Sequence, residues 1–188
     1  MSKVGVSNFK YAKMTTEDTA SAAPAYGTIT AIPGTVHIDR NTESTRNTLY
    51  ADNGPYETAS SLGETTLTLE AADLPLEVQA DLLGAAYDSE NNRLEFKTGD
   101  SAPYVAVMFE GLKANGEKQC VKLFKGRFGI PNETLQTKGE SVEFQTETIE
   151  GTFVALKDTA HEGLWMIKQD FAKDADASSF FASVLPTT

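Results

Sequence analysis

The chain has 188 residues and a formal net charge of −11 at pH 7, from 27 acidic and 16 basic residues. This length suits one domain, and the 40% hydrophobic and 23% charged residues are ordinary for a globular fold. The excess of carboxylates argues against wrapping nucleic acid, which requires clustered lysine and arginine, and against an anionic membrane. One cysteine excludes an internal disulfide. Without a signal-peptide pattern or a bilayer-length apolar run, we expect a protein that is made and used without export.

The N-terminal region, residues 1–33, has the composition of an extended arm. Its tract 15–27 is small and polar, with little that could anchor a core. A flexible terminus is one interpretation. The other is an arm that packs between subunits, because four of its side chains are apolar enough to dock on a neighbour: Val4, Val6, Phe9 and Tyr11.

A β domain is predicted over residues 34–173, where short alternating runs are separated by turn residues. Asp52-Asn53-Gly54-Pro55 and Asn115-Gly116 are strong turn signals. Between them, Leu67 and Leu69 mark the inward side of one strand. The pattern predicts a mainly-β fold, an antiparallel β-sandwich or barrel with one inserted α-helix.

The inserted helix is predicted over about residues 74–84. Asp73 is placed to cap it, Pro75 suits its first turn, and Gly84 suits its C-terminal stop. A separate C-terminal tail is predicted over 174–188. Its apolar residues predict a short docking helix: Phe180, Phe181, Val184 and Leu185.

The longest β run extends from Ser141 to Phe153. Alternation places Glu143 and Glu147 on one side, and Val142 and Phe144 on the other. The ordinary interpretation is a solvated sheet face. The alternative hypothesis is that Glu143 and Glu147 line a channel that must not adhere to DNA.

Catalytic and metal-binding patterns are lacking in the sequence. The two histidines, His37 and His161, have no helpful spacing with Cys120 for a zinc site. Cys120 lies inside a predicted strand, which favours a buried thiol over a nucleophile. Neither a phosphate loop nor a nucleophile turn is present. We therefore expect no enzyme activity, no catalytic residue, no metal and no cofactor.

A polar tract between predicted strands is the remaining feature. It is interpreted either as a solvent loop or as a loop that contacts another subunit. Its residues are Arg40, Asn41, Thr42, Glu43, Ser44, Thr45 and Arg46.

Several segments together resemble the phi13-type major tail proteins of long-tailed, non-contractile phages of Gram-positive bacteria. The likeness extends over most of the chain to about residue 156 and contains no catalytic signature. The segments that carry it are 1–12, 48–57, 63–69, 73–85, 104–107 and 124–128.

This resemblance implies a tail tube protein, a virion structural protein assembled in the host cytoplasm. Family membership implies a β-sandwich with a flanking helix, hexameric rings stacked into a tube, and contacts between rings through arms and a long loop. The 40–46 tract is then the inter-ring loop, and DNA passes through an acidic lumen without specific binding. Tape measure, tail terminator and tail tip proteins are the implied partners.

Two other classes of function stay open at this stage. One is a carbohydrate- or receptor-binding β-sandwich at a phage tail tip or on a capsid. The other is a hydrolase, which the missing catalytic pattern disfavours.

Overall fold

The computed structural model describes residues 2–132, 137 and 146–186, and it is mainly β, as predicted. The strands are β1 (Lys3–Thr16), β2 (Ala25–Ala31), β3 (Thr35–Ala51), β4 (Gly54–Ala71), β5 (Ala86–Asp88), β6 (Arg93–Glu95), β7 (Val105–Lys113), β8 (Lys118–Phe128), β9 (Glu147–Val154) and β10 (Met166–Phe171). The helices in this part of the chain are α1 (Leu76–Leu83) and a 3₁₀-helix (Ser178–Phe181).

One eight-stranded antiparallel sheet forms the body. Its strand order is β2-β1-β7-β8-β9-β4-β3, and β10 pairs with the first half of β8. The sheet curls, so that β1 and β3 contact each other although they lie near opposite ends of that order. The short strands β5 and β6 form a separate hairpin after the helix.

The concave face of the sheet encloses the main core, and α1 packs against it. Strand alternation supplies its side chains: Thr65, Leu67, Leu69 and Ala71 of β4 are buried, while the residues between them are only partly buried. The prediction that Leu67 and Leu69 point inward is confirmed. The core cluster includes Phe9, Tyr11, Ile32, Leu74, Val78, Leu82, Leu83, Val105, Val107, Phe109, Val121, Leu123, Phe128, Ile149 and Phe153.

The convex face of β1, β7 and β8 is covered by the C-terminal segment, residues 177–186. Phe180, Phe181 and Val184 pack there against Met108 and Phe124. The buried Lys122 amine donates to the Ser183 carbonyl at 2.8 Å and lies 4.3 Å from the centre of the Phe180 ring. The C-terminal tail therefore docks on its own domain, and it does so through a short 3₁₀-helix.

The predicted N-terminal arm requires correction, because the described part of residues 1–33 belongs to the sheet. Strand β1 lies between β2 and β7, and Phe9 and Tyr11 are only 1% and 2% exposed. These side chains pack in the core of their own chain, whereas Val4 is exposed and Val6 is half-buried. Because many residues of β2 are small, the sequence did not predict this strand, which forms one edge of the sheet.

Helix α1 lies within the predicted range but begins differently. Pro75 occupies the N-cap position, and no side chain caps the first turn, so the predicted cap by Asp73 is wrong. Gly84 ends the helix in the left-handed conformation at φ 71°, as predicted. A side chain at Gly84 would also clash with the Ser101 carbonyl, since a Cβ atom at this position would lie 2.4 Å from that oxygen.

The predicted turns are confirmed by the backbone. Asp52 and Asn53 have φ of 50° and 63°, typical of the two-residue turn that joins twisted strands. Gly116, in the second predicted turn, has φ of 84° between β7 and β8. The 141–145 part of the predicted long strand lies outside the described residues, and β9 begins at Glu147.

Candidate assembly surfaces

The most distinctive surface is a protruding two-stranded ribbon, residues 43–62. Its pairing extends from Ser44↔Leu62 to Ala51↔Gly54 around the turn. Strand β9 pairs with β4 only between Thr65 and Ala71, so no third described strand supports the ribbon. A two-stranded hairpin is marginally stable alone in water. The ribbon is therefore a candidate for stabilisation by another molecule.

The tip of the ribbon, residues 49–56, exposes large apolar side chains. Leu49 is 59% exposed, Tyr50 is 70% exposed and Tyr56 is 73% exposed. Clustered exposed apolar residues of this kind mark contact sites more often than isolated ones do. Sequence reasoning identified the turn at this tip but did not single out its apolar side chains.

The 40–46 tract lies in strand β3 rather than in a loop. Arg40 pairs with Leu67 in the body of the sheet, and its guanidinium donates to the Thr42 hydroxyl at 3.2 Å. Glu43, Ser44, Thr45 and Arg46 are exposed and form the base of the ribbon. The contact of Arg40, Asn41, Thr42, Glu43, Ser44, Thr45 and Arg46 with another ring stays a prediction.

An apolar groove lies where the ribbon leaves the sheet. Its volume is about 510 Å³, and Trp165 lies beside Leu62 and Phe153 in its lining. Trp165 is half-buried and packs against the main core on its other side. The remaining lining is Gly63, Glu64, Thr65, Val154, Ala155 and Gly163.

A polar face covers the convex side of β3, β4 and β9. The pairs Asp39↔Thr68 and Thr68↔Glu150 align across these strands, and Glu70 lies two residues from Thr68 on the same side. The Glu70 carboxylate accepts a hydrogen bond from the Thr146 hydroxyl at 2.6 Å. The face comprises His37, Asp39, Asn41, Thr66, Thr68, Glu70, Thr148, Glu150 and Thr152, which include no lysine or arginine.

The two predicted lumen residues have different outcomes. Glu143 lies outside the described residues. Glu147 shares its side of β9 with the buried residues Ile149 and Phe153, and its carboxylate accepts a hydrogen bond from the Gln79 amide at 3.3 Å. Glu147 therefore lies on the helix side of the sheet, whereas Glu150 lies on the polar face.

A buried ion pair fixes the connection between β1 and β2. The Lys125 amine contacts the Asp18 carboxylate, and both side chains are almost completely buried. The Lys157 backbone N–H donates to the same carboxylate at 2.6 Å, and the Thr159 hydroxyl donates to the Ala20 carbonyl at 2.5 Å. The pair thus joins residues 17–24 to β8 and to the chain that follows β9.

The residues considered for chemistry are dispersed. His37 lies on the polar face, and the His161 ring nitrogen Nδ1 lies 2.7 Å from the Asp158 carboxylate. Cys120 is buried in β8, and burial raises the pKa of its thiol to about 11. Over the described ranges, no group of three or more His, Cys, Asp or Glu residues is placed to hold a metal ion. No helix among these residues has the length and apolarity to cross a bilayer.

No protein-family model matches the chain, and no curated protein matches it. Solved structures with structural similarity to the chain include two from the anti-feeding prophage. A chain of the anti-feeding prophage cap, a tube terminating cap, aligns at a TM-score of 0.44 and 9% identity, over 87% of this chain and 89% of that chain. A chain of the anti-feeding prophage baseplate aligns at 0.40 and 13% identity, over 93% and 100%.

Proposed function

We propose that this chain is a structural subunit of a phage tail tube, which assembles with copies of itself into stacked hexameric rings. The observation that supports this most directly is the exposed ribbon with its apolar tip. Such a ribbon gains stability when another molecule covers it. The sequence resemblance to major tail proteins suggests that the other molecule is a second copy.

The ribbon is the proposed contact between rings. Its base contains Glu43, Ser44, Thr45 and Arg46, the last four residues of the tract predicted to reach the next ring, and all four are exposed. Within a ring, the exposed Val4 and half-buried Val6 near the start of β1 are the proposed contacts with a neighbouring subunit. Phe9 and Tyr11 act instead as core residues that hold β1 in place.

The polar face is the proposed wall of the lumen. A duplex carries one negative charge per about 1.7 Å of its axis, so a wall of lysine and arginine would retain it by counterion release. Asp39, Glu70 and Glu150 repel DNA over about 8–10 Å at working salt. Glu143 remains a proposed lumen residue from sequence alone, whereas Glu147 is better placed to support α1.

The proposed role requires neither catalysis nor a cofactor. Its partners are other copies of the chain, with the tape measure, tail terminator and tail tip proteins of the same particle. The proposed location is the virion tail, after assembly in the host cytoplasm.

Negative-stain electron microscopy of the purified chain, across protein concentration and salt, tests this proposal. Rings or tubes are the expected products, and immunogold labelling of mature particles is expected along the whole tail. Monomers under every condition, with label confined to the tip or the capsid, would overturn the proposal in favour of a receptor- or carbohydrate-binding module.

A further inference from the structure

The groove and the tip are two apolar surfaces on one chain that cannot meet within it. Leu62 lines the groove, and Asp52 lies in the turn at the far end of the same ribbon. A strand rises about 3.3 Å per residue, so these positions are on the order of 30 Å apart. A tip that fills the groove therefore has to belong to another molecule.

We propose that the tip of one copy packs into the groove of a second copy, with Tyr50 and Tyr56 against Trp165. This inference rests on the proposed self-assembly and names the receiving site for the ribbon. The groove, at about 510 Å³, is large enough for aromatic side chains. Tyrosine and tryptophan side chains give large contact areas at low conformational cost.

The geometry of this contact also fits an extended assembly. Tip and groove are different surfaces, so the contact is heterologous, and each copy offers one tip and one groove at opposite ends of the ribbon. Repetition of such a contact builds open stacks rather than closed pairs. Each docked ribbon then supports the base of the next one.

Charge opposes the same contact at low ionic strength. Asp52 and Glu57 lie at or beside the tip, and Glu64 lies in the groove lining, so acidic groups approach each other on docking. Screening by salt weakens this repulsion but leaves the apolar burial intact. Docking is therefore expected to strengthen as salt rises, the reverse of a contact held by ion pairs.

The single tryptophan makes the groove directly observable. On assembly, the emission of Trp165 is expected to shift to shorter wavelength as the tip excludes water from the ring. The tip variant Leu49→Ser/Tyr50→Ser/Tyr56→Ser changes only exposed side chains, so it is expected to fold, to lack the shift and to lose stacking. The control variant Ile130→Ser, at another exposed apolar residue, is expected to shift as the wild type does.

Disulfide trapping between two single-substitution proteins supplies a second, independent readout. A Tyr56→Cys protein mixed with a Leu62→Cys protein is expected to form a crossed dimer. The same protein mixed with Leu112→Cys, an exposed position on β7, is expected to give little or none. The native thiol of Cys120 is buried and should not compete.

Tubes with an unchanged Trp165 emission, or equal trapping of Leu62→Cys and Leu112→Cys, would overturn the docking site and leave the tail-tube proposal standing. Absence of any rings or tubes from the wild-type chain would overturn both.

Discussion

At the scale of single residues, the least predictable feature is the buried pair of Asp18 and Lys125. The two residues are 107 positions apart, in a polar tract and a strand, and nothing in the sequence connects them. Burial raises the pKa of Asp18, but the hydrogen bonds from Lys125 and the Lys157 N–H, with the charge of Lys125, outweigh it and lower that pKa. The folded protein therefore holds the carboxylate charged.

Asp18→Asn is expected to lower the free energy of unfolding by about 3–5 kcal/mol, because it leaves the Lys125 amine buried and without its counter-charge. Urea denaturation at neutral pH measures the loss. The exposed Asp52→Asn at the ribbon turn is the control and is expected to change stability little. Equal midpoints for Asp18→Asn and wild type would contradict this role.

The same pair predicts an acid dependence with a definite sign. A group whose pKa is lowered on folding stabilises the protein above its unfolded pKa, and this stabilisation is lost as pH falls through the folded value. Wild type is therefore expected to lose stability below about pH 4, the ordinary range of aspartate. Asp18→Asn should lose less over that range, as measured by denaturation at a series of pH values. Parallel pH profiles would exclude Asp18 as a source of acid sensitivity.

A second residue-scale prediction concerns Gly126, which makes room for an aromatic ring. A Cβ at this position would lie 2.4 Å from the Cδ1 atom of Phe153, which packs edge-on against Phe128 at 5.9 Å between ring centres. Gly126→Ala is expected to destabilise by about 1–3 kcal/mol through overpacking, seen as a lower Tm. Gly99→Ala is the matched control, since no atom beyond Gly99 and its two chain neighbours lies within 4 Å of its Cβ position. Equal Tm values for the two variants would refute the steric argument.

At the scale of elements, the sequence predicted the turns, the helix end and the strand faces that depend on a few neighbouring residues. The turns at Asp52-Asn53 and Asn115-Gly116, the stop at Gly84 and the alternation of β4 follow from backbone preferences and burial within a few residues. Strand β1 could not be predicted from such local preferences, because its membership in the sheet depends on pairing with β7, about a hundred positions away. The ribbon was missed for a similar reason: polar residues such as Thr45 and Ser61 pair with each other without burial.

Shortening the ribbon tests its function at this scale. Removing residues 47–59 and joining Arg46 to Ser60 through Asn-Gly retains a turn suited to the cross-strand pair Arg46↔Ser60. This variant is expected to keep the circular dichroism spectrum and Tm of the domain but to form no tubes. Deleting only 41–45 would be a poorer test, because removing five residues from β3 reverses the faces of the strand beyond them. Tubes of normal length from the shortened variant would refute the inter-ring role.

At the scale of the whole molecule, the convex side of the sheet is divided between two environments. The C-terminal segment buries the half formed by β1, β7 and β8, whereas the half formed by β3, β4 and β9 keeps its threonines and carboxylates partly or fully exposed. The sequence predicted an acidic strand face but assigned it to Glu143 and Glu147. One of these lies outside the described residues, and the other packs beside α1. The cross-strand register, which the sequence cannot give, brings Asp39 and Glu150 onto one surface instead.

Charge reversal on this surface tests the proposed lumen. Asp39→Lys/Glu150→Lys replaces two exposed carboxylates with amines, which add phosphate contacts and release counterions from DNA. Tubes are expected to form normally, but ejection should slow, and purified tubes should retain duplex DNA at low salt and release it as salt rises. The control Glu162→Lys/Asp174→Lys makes the same change in net charge at exposed positions away from β3, β4 and β9. If the control slows ejection equally, net charge rather than the wall is responsible; unchanged ejection by the polar-face variant would place this surface outside the lumen.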